Sequence, residues 1–174
     1  MDILYTVEEK YLQAMDELHY GETPKAMHLL KELIATDDTY ARAYYGLGII
    51  YHYYIKDYKA AGYYYQTAMD LDNAIPDLYE DYIKLLVKLQ WHKKIEQVTA
   101  KILEVPGINL AKLYETLGVY EEQRLDFVLA KQYYQKAALI AVVEKEHDLL
   151  QDHLKRVSGK LKAKQQMVYA YEGS

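Results

Sequence analysis

The sequence has no cysteine, which excludes disulfides, thiolate zinc sites and cysteine nucleophiles together. Only 3 prolines and 8 glycines interrupt 174 residues, so helical patterns can run with little punctuation. No apolar run approaches the roughly 20 residues needed to cross a bilayer. The opening MDILYTVEEK carries acids and lacks a basic stretch followed by an apolar one, so no secretory leader is expected and the cytoplasm is the expected compartment. Acidic residues outnumber basic ones, 26 to 21. A net charge of -5 argues against a general polyanion binder, because phosphate contacts need a basic surface.

The sequence is rich in tyrosine, with 21 against a single phenylalanine and a single tryptophan. Many core positions therefore combine a buried ring with a hydroxyl that needs water or a partner. With 51% hydrophobic and 27% charged residues, the chain suits one domain or a short array that buries roughly 70% of its unfolded surface.

In chain order, Thr6-Val7-Glu8-Glu9 has the form of a capping box, so a helix is expected from Val7. Val7, Tyr11, Ala14, Met15 and Leu18 form its apolar stripe, and Tyr20-Gly21-Glu22 stops it. Thr23 reads as the N-cap of a second helix with Pro24 in its first turn, and Thr36-Asp37-Asp38-Thr39 as a turn that caps a third. In that third helix Tyr44, Leu47, Gly48 and Tyr51 fall at i, i+3, i+4 and i+7, on one face. Ala61, Tyr65 and Ala68 repeat the spacing in a fourth. A small residue in each lets the two helices approach closely.

Similar spacings recur. Pro76 opens a third copy in which Ile83 replaces the glycine, Ile95 the alanine and Thr99 the aromatic; its helices are expected to sit further apart, with Trp91 covering the gap. Pro106-Gly107 ends that unit. A fourth copy restores Tyr114-x-x-Leu117-Gly118 and Ala130-x-x-x-Tyr134, and Glu121 in place of a tyrosine suggests a more exposed helix end. Gly48 and Gly118 lie 70 residues apart, two periods of about 34 plus two residues. One of those two belongs to a long linker from His52 to Lys59.

This pattern resembles the tetratricopeptide repeat, in which a Trp-like aromatic, Leu-Gly, Tyr, Ala, an aromatic and Pro are spread over about 34 residues. Asn73 stands where the closing proline is expected. The resemblance implies an all-α fold, a right-handed superhelical array of antiparallel helix pairs: four repeats at about 7–40, 41–75, 76–110 and 111–143, then a C-terminal capping helix at 144–171. Leu150, Leu154, Val157, Leu161 and Val168 form the stripe with which that helix would cover the array's end. The break before it is expected near Val142 to Lys145.

The resemblance also implies a concave groove lined by first helices, in which partner segments lie. One step round from the core face brings up Arg42, Tyr45, Ile49, His52 and Tyr53 in copy two. It brings up Asp77, Glu80, Asp81, Lys84 and Lys88 in copy three, and Lys112, Glu115, Thr116, Val119 and Glu122 in copy four. Tyr44, Tyr51 and Tyr65 are read as core. Tyr11 and Met15 of copy one are also assigned to the core, because the other register would bury Lys10, Gln13 and Glu17. An aromatic pocket beside a mixed-charge strip suits an extended or helical segment with an apolar anchor. A subclass that binds chaperone C-terminal carboxylates uses lysines, asparagines and an arginine, and Asp77 and Asp81 at two of those places oppose such a ligand.

Nothing in the sequence marks an enzyme, a metal or a cofactor. The six histidines are scattered, and His147 and His153 point to different faces of one helix. Gly46-Leu47-Gly48 lies inside a helix, not in a phosphate loop. Lys155, Arg156, Lys160, Lys162 and Lys164 follow Glu144, Glu146, Asp148 and Asp152, an order that complements a helix dipole and outweighs a nucleic-acid reading. Two functions follow as expectations. The first is a scaffold or adaptor that binds a protein or peptide partner in the groove; the alternative is a structural protein that self-associates through its C-terminal helix or tyrosine-rich faces.

Overall fold

In a computed structural model, residues 6–72 and 74–172 are described, with side chains as far as Met167. The first five residues of the opening stretch, Asn73 at the closing-proline position and the side chain of Val168 lie outside them. Among the described residues the α-helices are α1 (Val7–His19), α2 (Thr23–Thr36), α3 (Ala41–Ile49), α4 (Tyr58–Leu71), α5 (Pro76–Lys88), α6 (His92–Ile102), α7 (Leu110–Gln123), α8 (Phe127–Ile140) and α9 (Glu144–Glu172). None is long and apolar enough to cross a membrane. The chain divides into two compact units, Met1–Gly107 and Ile108–Ser174.

The first unit starts at the capping box. The Thr6 hydroxyl accepts from the Glu9 N–H at 3.2 Å and the Glu9 carboxylate accepts from the Thr6 N–H at 2.8 Å, which satisfies two otherwise orphan donors. The cap of α2 differs from the expectation. Thr23 is already helical, Glu22 is the capping residue, and no side chain caps the end. Asp37 builds the next turn by accepting from the N–H and hydroxyl of Thr39. The residue that caps α3 is Tyr40, again without a side-chain bond. Tyr11, Ala14, Leu18, Ala26, Leu30, Leu33 and Leu47 form the core here, with Met15 packed against them.

The long linker is not a loop. After Ile49 the helix widens into a π-helical segment, Ile50–Ile55, and ends at Lys56 in the left-handed region, φ 63°. A π turn holds one residue more than the α turn it replaces, so the extra residue is absorbed inside the helix. Asp57 then caps α4 by accepting from the Ala60 N–H at 3.0 Å.

Pro76 opens α5, as its preset φ allows. With Ile83 and Ile95 buried in place of small residues, α5 and α6 approach each other less closely along their length than α3 and α4 do. Trp91 does not fill that gap. It caps α6 and is 46% exposed, with its ring edge lying over Gly62 of α4.

In the second unit, Asn109 and Asp126 cap α7 and α8 through their side chains. Glu121 is buried rather than exposed, 3.1 Å from Arg124; the guanidinium supplies the partner that a buried carboxylate needs. The chain breaks after Ile140, and the C=O of Val143 accepts from the His147 N–H as α9 begins. Leu150 and Val157 are buried on the core of α8, with Leu154 and Leu161 packed beside them. Because α9 runs on to Glu172, its lysines lie along the helix and not in its last turn. The dipole reading of the basic run is therefore corrected.

Both well-matched copies close on the same contact. A Cβ added at Gly48 would stand 2.3 Å from the Tyr65 ring, and one at Gly118 would stand 2.5 Å from the Tyr134 ring. Each tyrosine is fully buried and packed against bare helix backbone. Gly48→Ala and Gly118→Ala should each cost about 1–3 kcal/mol, because an aromatic ring in a filled core cannot step aside. At Gly62 the nearest atom to an added Cβ is 3.8 Å away, so Gly62→Ala should instead gain about 0.5–1 kcal/mol from helix propensity. Urea unfolding midpoints of the three variants check the contrast; equal stability of Gly48→Ala and the parent would refute the packing account.

Candidate interaction surface

The first helices of unit one carry most of the candidate residues, and Asp81 is where they converge. The Tyr45 hydroxyl donates to one carboxylate oxygen at 2.9 Å and the Tyr53 hydroxyl to the other at 2.7 Å. Tyr45, expected on the open face, is only 8% exposed, whereas Tyr53 is 44% exposed. A helix wheel counts only the partner within the pair; α5 of the next copy covers Tyr45 from the side and leaves its hydroxyl as the sole polar outlet. Burial, followed by the Asp81 charge, pushes both phenols above their ordinary range. They therefore act as neutral donors. Tyr44 and Tyr51, read as core, are half-buried.

His52 is turned inward and 6% exposed, its Nδ1 3.2 Å from the Tyr65 hydroxyl and its ring stacked on Tyr53 at 4.1 Å. Desolvation holds its pKa below the ordinary value, so the imidazole is neutral near pH 7. Ile49 is half-buried against the core. Arg42 does not join this group. It bonds Glu8 of α1 at 2.6 Å, and Glu8 also accepts from the Tyr40 hydroxyl. On α5, Lys84 pairs with Glu80 at 2.7 Å, while Lys88 donates to the Tyr58 hydroxyl and lies 4.3 Å above that ring. Asp77 is exposed.

In unit two the corresponding positions are used by α9. Glu122 is 8% exposed and accepts four bonds: from Tyr134 at 2.9 Å, from Arg156 at 2.9 and 2.7 Å, and from Lys160 at 2.8 Å. The Arg156 bonds, helped by Lys160 and Tyr134 against the cost of burial, hold its carboxyl down at about 2. Glu115 pairs with Lys112 at 2.8 Å and stands 3.5 Å from His153 of α9. The Thr116 hydroxyl returns to the Lys112 carbonyl. Val119 packs on the core that α8 and α9 share.

The helical pattern alone did not reveal Glu8, His153, Arg156 and Lys160. A signal was present nonetheless: Glu8 and Arg42, and likewise Glu122 and Arg156, are 34 residues apart, one repeat period. The buried tyrosines give another. Tyr65 and Tyr134 each reach the residue four positions after the glycine they cover, His52 and Glu122. Among the described residues, no three His, Asp or Glu side chains are grouped as a metal ion would require.

No family model matches the sequence, and no curated protein matches it either. Solved structures do match the fold. PilF of Pseudomonas aeruginosa superposes with a TM-score of 0.74 at 17% identity, over 95% of this chain and 72% of that one. PilW, a widely conserved type IV pilus biogenesis factor, gives 0.67 at 15% identity over 88% and 78%. MamA of Desulfovibrio magneticus RS-1 gives 0.65 at 16% over 90% and 96%. These neighbours are tetratricopeptide-repeat proteins, and the chain has their fold, an all-helical α-solenoid of the tetratricopeptide-repeat type.

Acid should unfasten the two tyrosine partners in different ranges. The folded pKa of Glu122, about 2, lies below its ordinary 4.5, so its contribution is complete above pH 4.5 and is lost as the pH falls toward 2. That contribution is on the order of 2 kcal/mol, discounted because Arg156 and Lys160 are half exposed. His52 resists protonation when folded, so stability should begin to fall below its ordinary 6.5. Chemical unfolding from pH 7 to 2.5 should show Glu122→Gln less stable than the parent at neutral pH and converging with it in acid. A constant difference at all pH values would exclude the ion cluster as the cause.

Proposed function

We propose that the chain is a non-enzymatic protein-interaction scaffold and that the face of α3 and α5 in its first unit receives a protein or peptide segment. The observation that carries this reading is Tyr53. Its ring is half exposed, yet it is held on both sides, stacked on His52 and bonded through its hydroxyl to Asp81. An aromatic fixed before binding loses little entropy on contact, which is the property of an interface anchor. Asp77, Glu80, Lys84 and Lys88 surround it with charge of both signs, a polar rim suited to a segment with one apolar side chain and mixed charges. The tetratricopeptide-type fold supports the reading by analogy. Lys112, Glu115 and Glu122 are engaged within unit two, so unit one is the better place to look.

A photo-crosslinking residue placed at Tyr53 should capture a protein partner in the native cell, whereas one at Tyr63, exposed on second helix α4, should not. Against the captured partner, Tyr53→Ala should weaken binding about fivefold or more, since an anchor contributes upward of 1 kcal/mol, without changing the unfolding midpoint by a comparable amount. Unchanged affinity, or capture only from Tyr63, would reject the assignment.

A further inference from the structure

Because helices alternate in direction, the turns of the first unit fall into two rows, one at each end of helices 13 or 14 residues long. At 1.5 Å per residue the rows stand about 20 Å apart. The row of turns within pairs carries Lys25, Lys56, Lys59, Lys88, Lys93 and Lys94 against Glu17, Glu22 and Asp57; Glu17 pairs with Lys25 and Asp57 is engaged in capping α4. Large apolar side chains stand exposed among those lysines: Tyr20 at 81%, Trp91 at 46%, and Tyr54 and Ile55 between them in sequence. Lys56, Lys59, Lys93 and Lys94 make no ion pair with a described residue.

The row between pairs has the opposite character. Asp37, Asp38, Asp70, Asp72, Asp77 and Glu104 lie on it, and no described cation pairs with any of them. Its bases are Lys101 and Arg42, and Arg42 is held by Glu8. It is also hollow. A cleft of about 680 Å³ opens there, with Met69, Leu71, Val105 and Pro106 in its apolar lining, Asp70, Asp72 and Glu104 as its acids and Lys101 as its base. The two rows cannot neutralise each other within one molecule, since about 20 Å of separation exceeds the screening length of roughly 8 Å at physiological salt.

We propose that a second copy of this chain docks head to tail, the lysine and aromatic row of one copy, led by Trp91, Lys93 and Lys94, seating in the acidic cleft of the next. Such a contact is heterologous: each copy keeps one row free, and assembly grows without closing. An anionic bilayer or a nucleic acid would use the basic row alone and give the apolar-lined acidic cleft no role. A second copy satisfies both rows with one interface. Asp77 and Lys88 border both this interface and the Tyr53 face, but Trp91, Lys93, Lys94, Asp70 and Glu104, the residues altered below, lie outside that face, so the two can fail independently.

Sedimentation of the intact chain over a wide concentration range tests the idea. At low salt the average mass should rise with concentration and reach no plateau; at high salt it should fall back to the monomer. Lys93→Glu with Lys94→Glu should abolish growth, and so should Asp70→Lys with Glu104→Lys. Mixed together, these two variants should associate with each other where neither does alone, because each retains one intact row. Trp91→Ala should weaken association on the order of tenfold or more, and Tyr53→Ala should assemble as the parent does. A chain that stays monomeric at low salt, a dimer that closes, or charge variants that still polymerise would overturn the proposal. So would a basic row needed only for binding phosphatidylserine vesicles or RNA.

Discussion

A tyrosine ring lying on a glycine of the facing helix is the contact on which each well-formed helix pair depends. At Gly48 with Tyr65 and at Gly118 with Tyr134 the absence of a Cβ lets the ring reach bare backbone, which sets how near the two helices lie. It also decides where the phenol ends. With the ring held at the glycine, the hydroxyl arrives beside the residue one helical turn later, and that residue has to be a hydrogen-bonding partner. Phenylalanine could fill the same space, but it would leave His52 or Glu122 buried without this bond. The tyrosine excess of the chain thus has a local cause at both places.

The partner chosen has consequences for the neighbouring helix. A neutral histidine completes its contacts within copy two, stacked on Tyr53. A carboxylate retains charge that one phenol cannot balance, and Glu122 draws Arg156 and Lys160 from α9. A difference of one side chain at equivalent positions separates a face that keeps an aromatic ring at its surface from one that is bound by the chain's own last helix. Glu8 with Arg42, and Asp81 with Tyr45 and Tyr53, tie other successive first helices in the same manner. Polar side chains beside the core thereby fix the stacking of copies, while apolar ones fix the pairing of helices.

The repeat period, the approximate helix starts and the recurring glycines and tyrosines were legible because they are short-range patterns, repeated and tied to helical spacing; that each tyrosine ring lies on a glycine of the facing helix was not. The all-helical tetratricopeptide-type fold followed from them. The candidate face was legible in part: the spacing named Tyr45, Tyr53, Asp81 and Glu122, but not the bonds that join the first three across copies nor the Arg156 and Lys160 that bind Glu122. A wheel drawn for one helix carries no information about a second neighbour, which is why Tyr45 was assigned to the open side and Arg156 and Lys160 to a dipole. The expected exposure of Glu121 rested on residue type alone, whereas Arg124, three residues on at the end of the same helix, pairs with its carboxylate. Trp91 was placed in a gap by its position in the sequence, whereas it leans on the preceding copy at Gly62.

The π-helical segment between Ile50 and Ile55 stores the additional residue of copy two inside a hydrogen-bonded helix. Losing a residue there would therefore shorten no loop. It would restore ordinary α winding, in which about five residues turn as far as the six residues of the π segment do, so the chain beyond Lys56 would keep its place while the side chains within the segment, Tyr53 among them, were re-aimed relative to Asp81. Length at this one point thereby sets where the exposed ring is aimed, while the Gly48–Tyr65 contact that pairs the helices lies outside the segment.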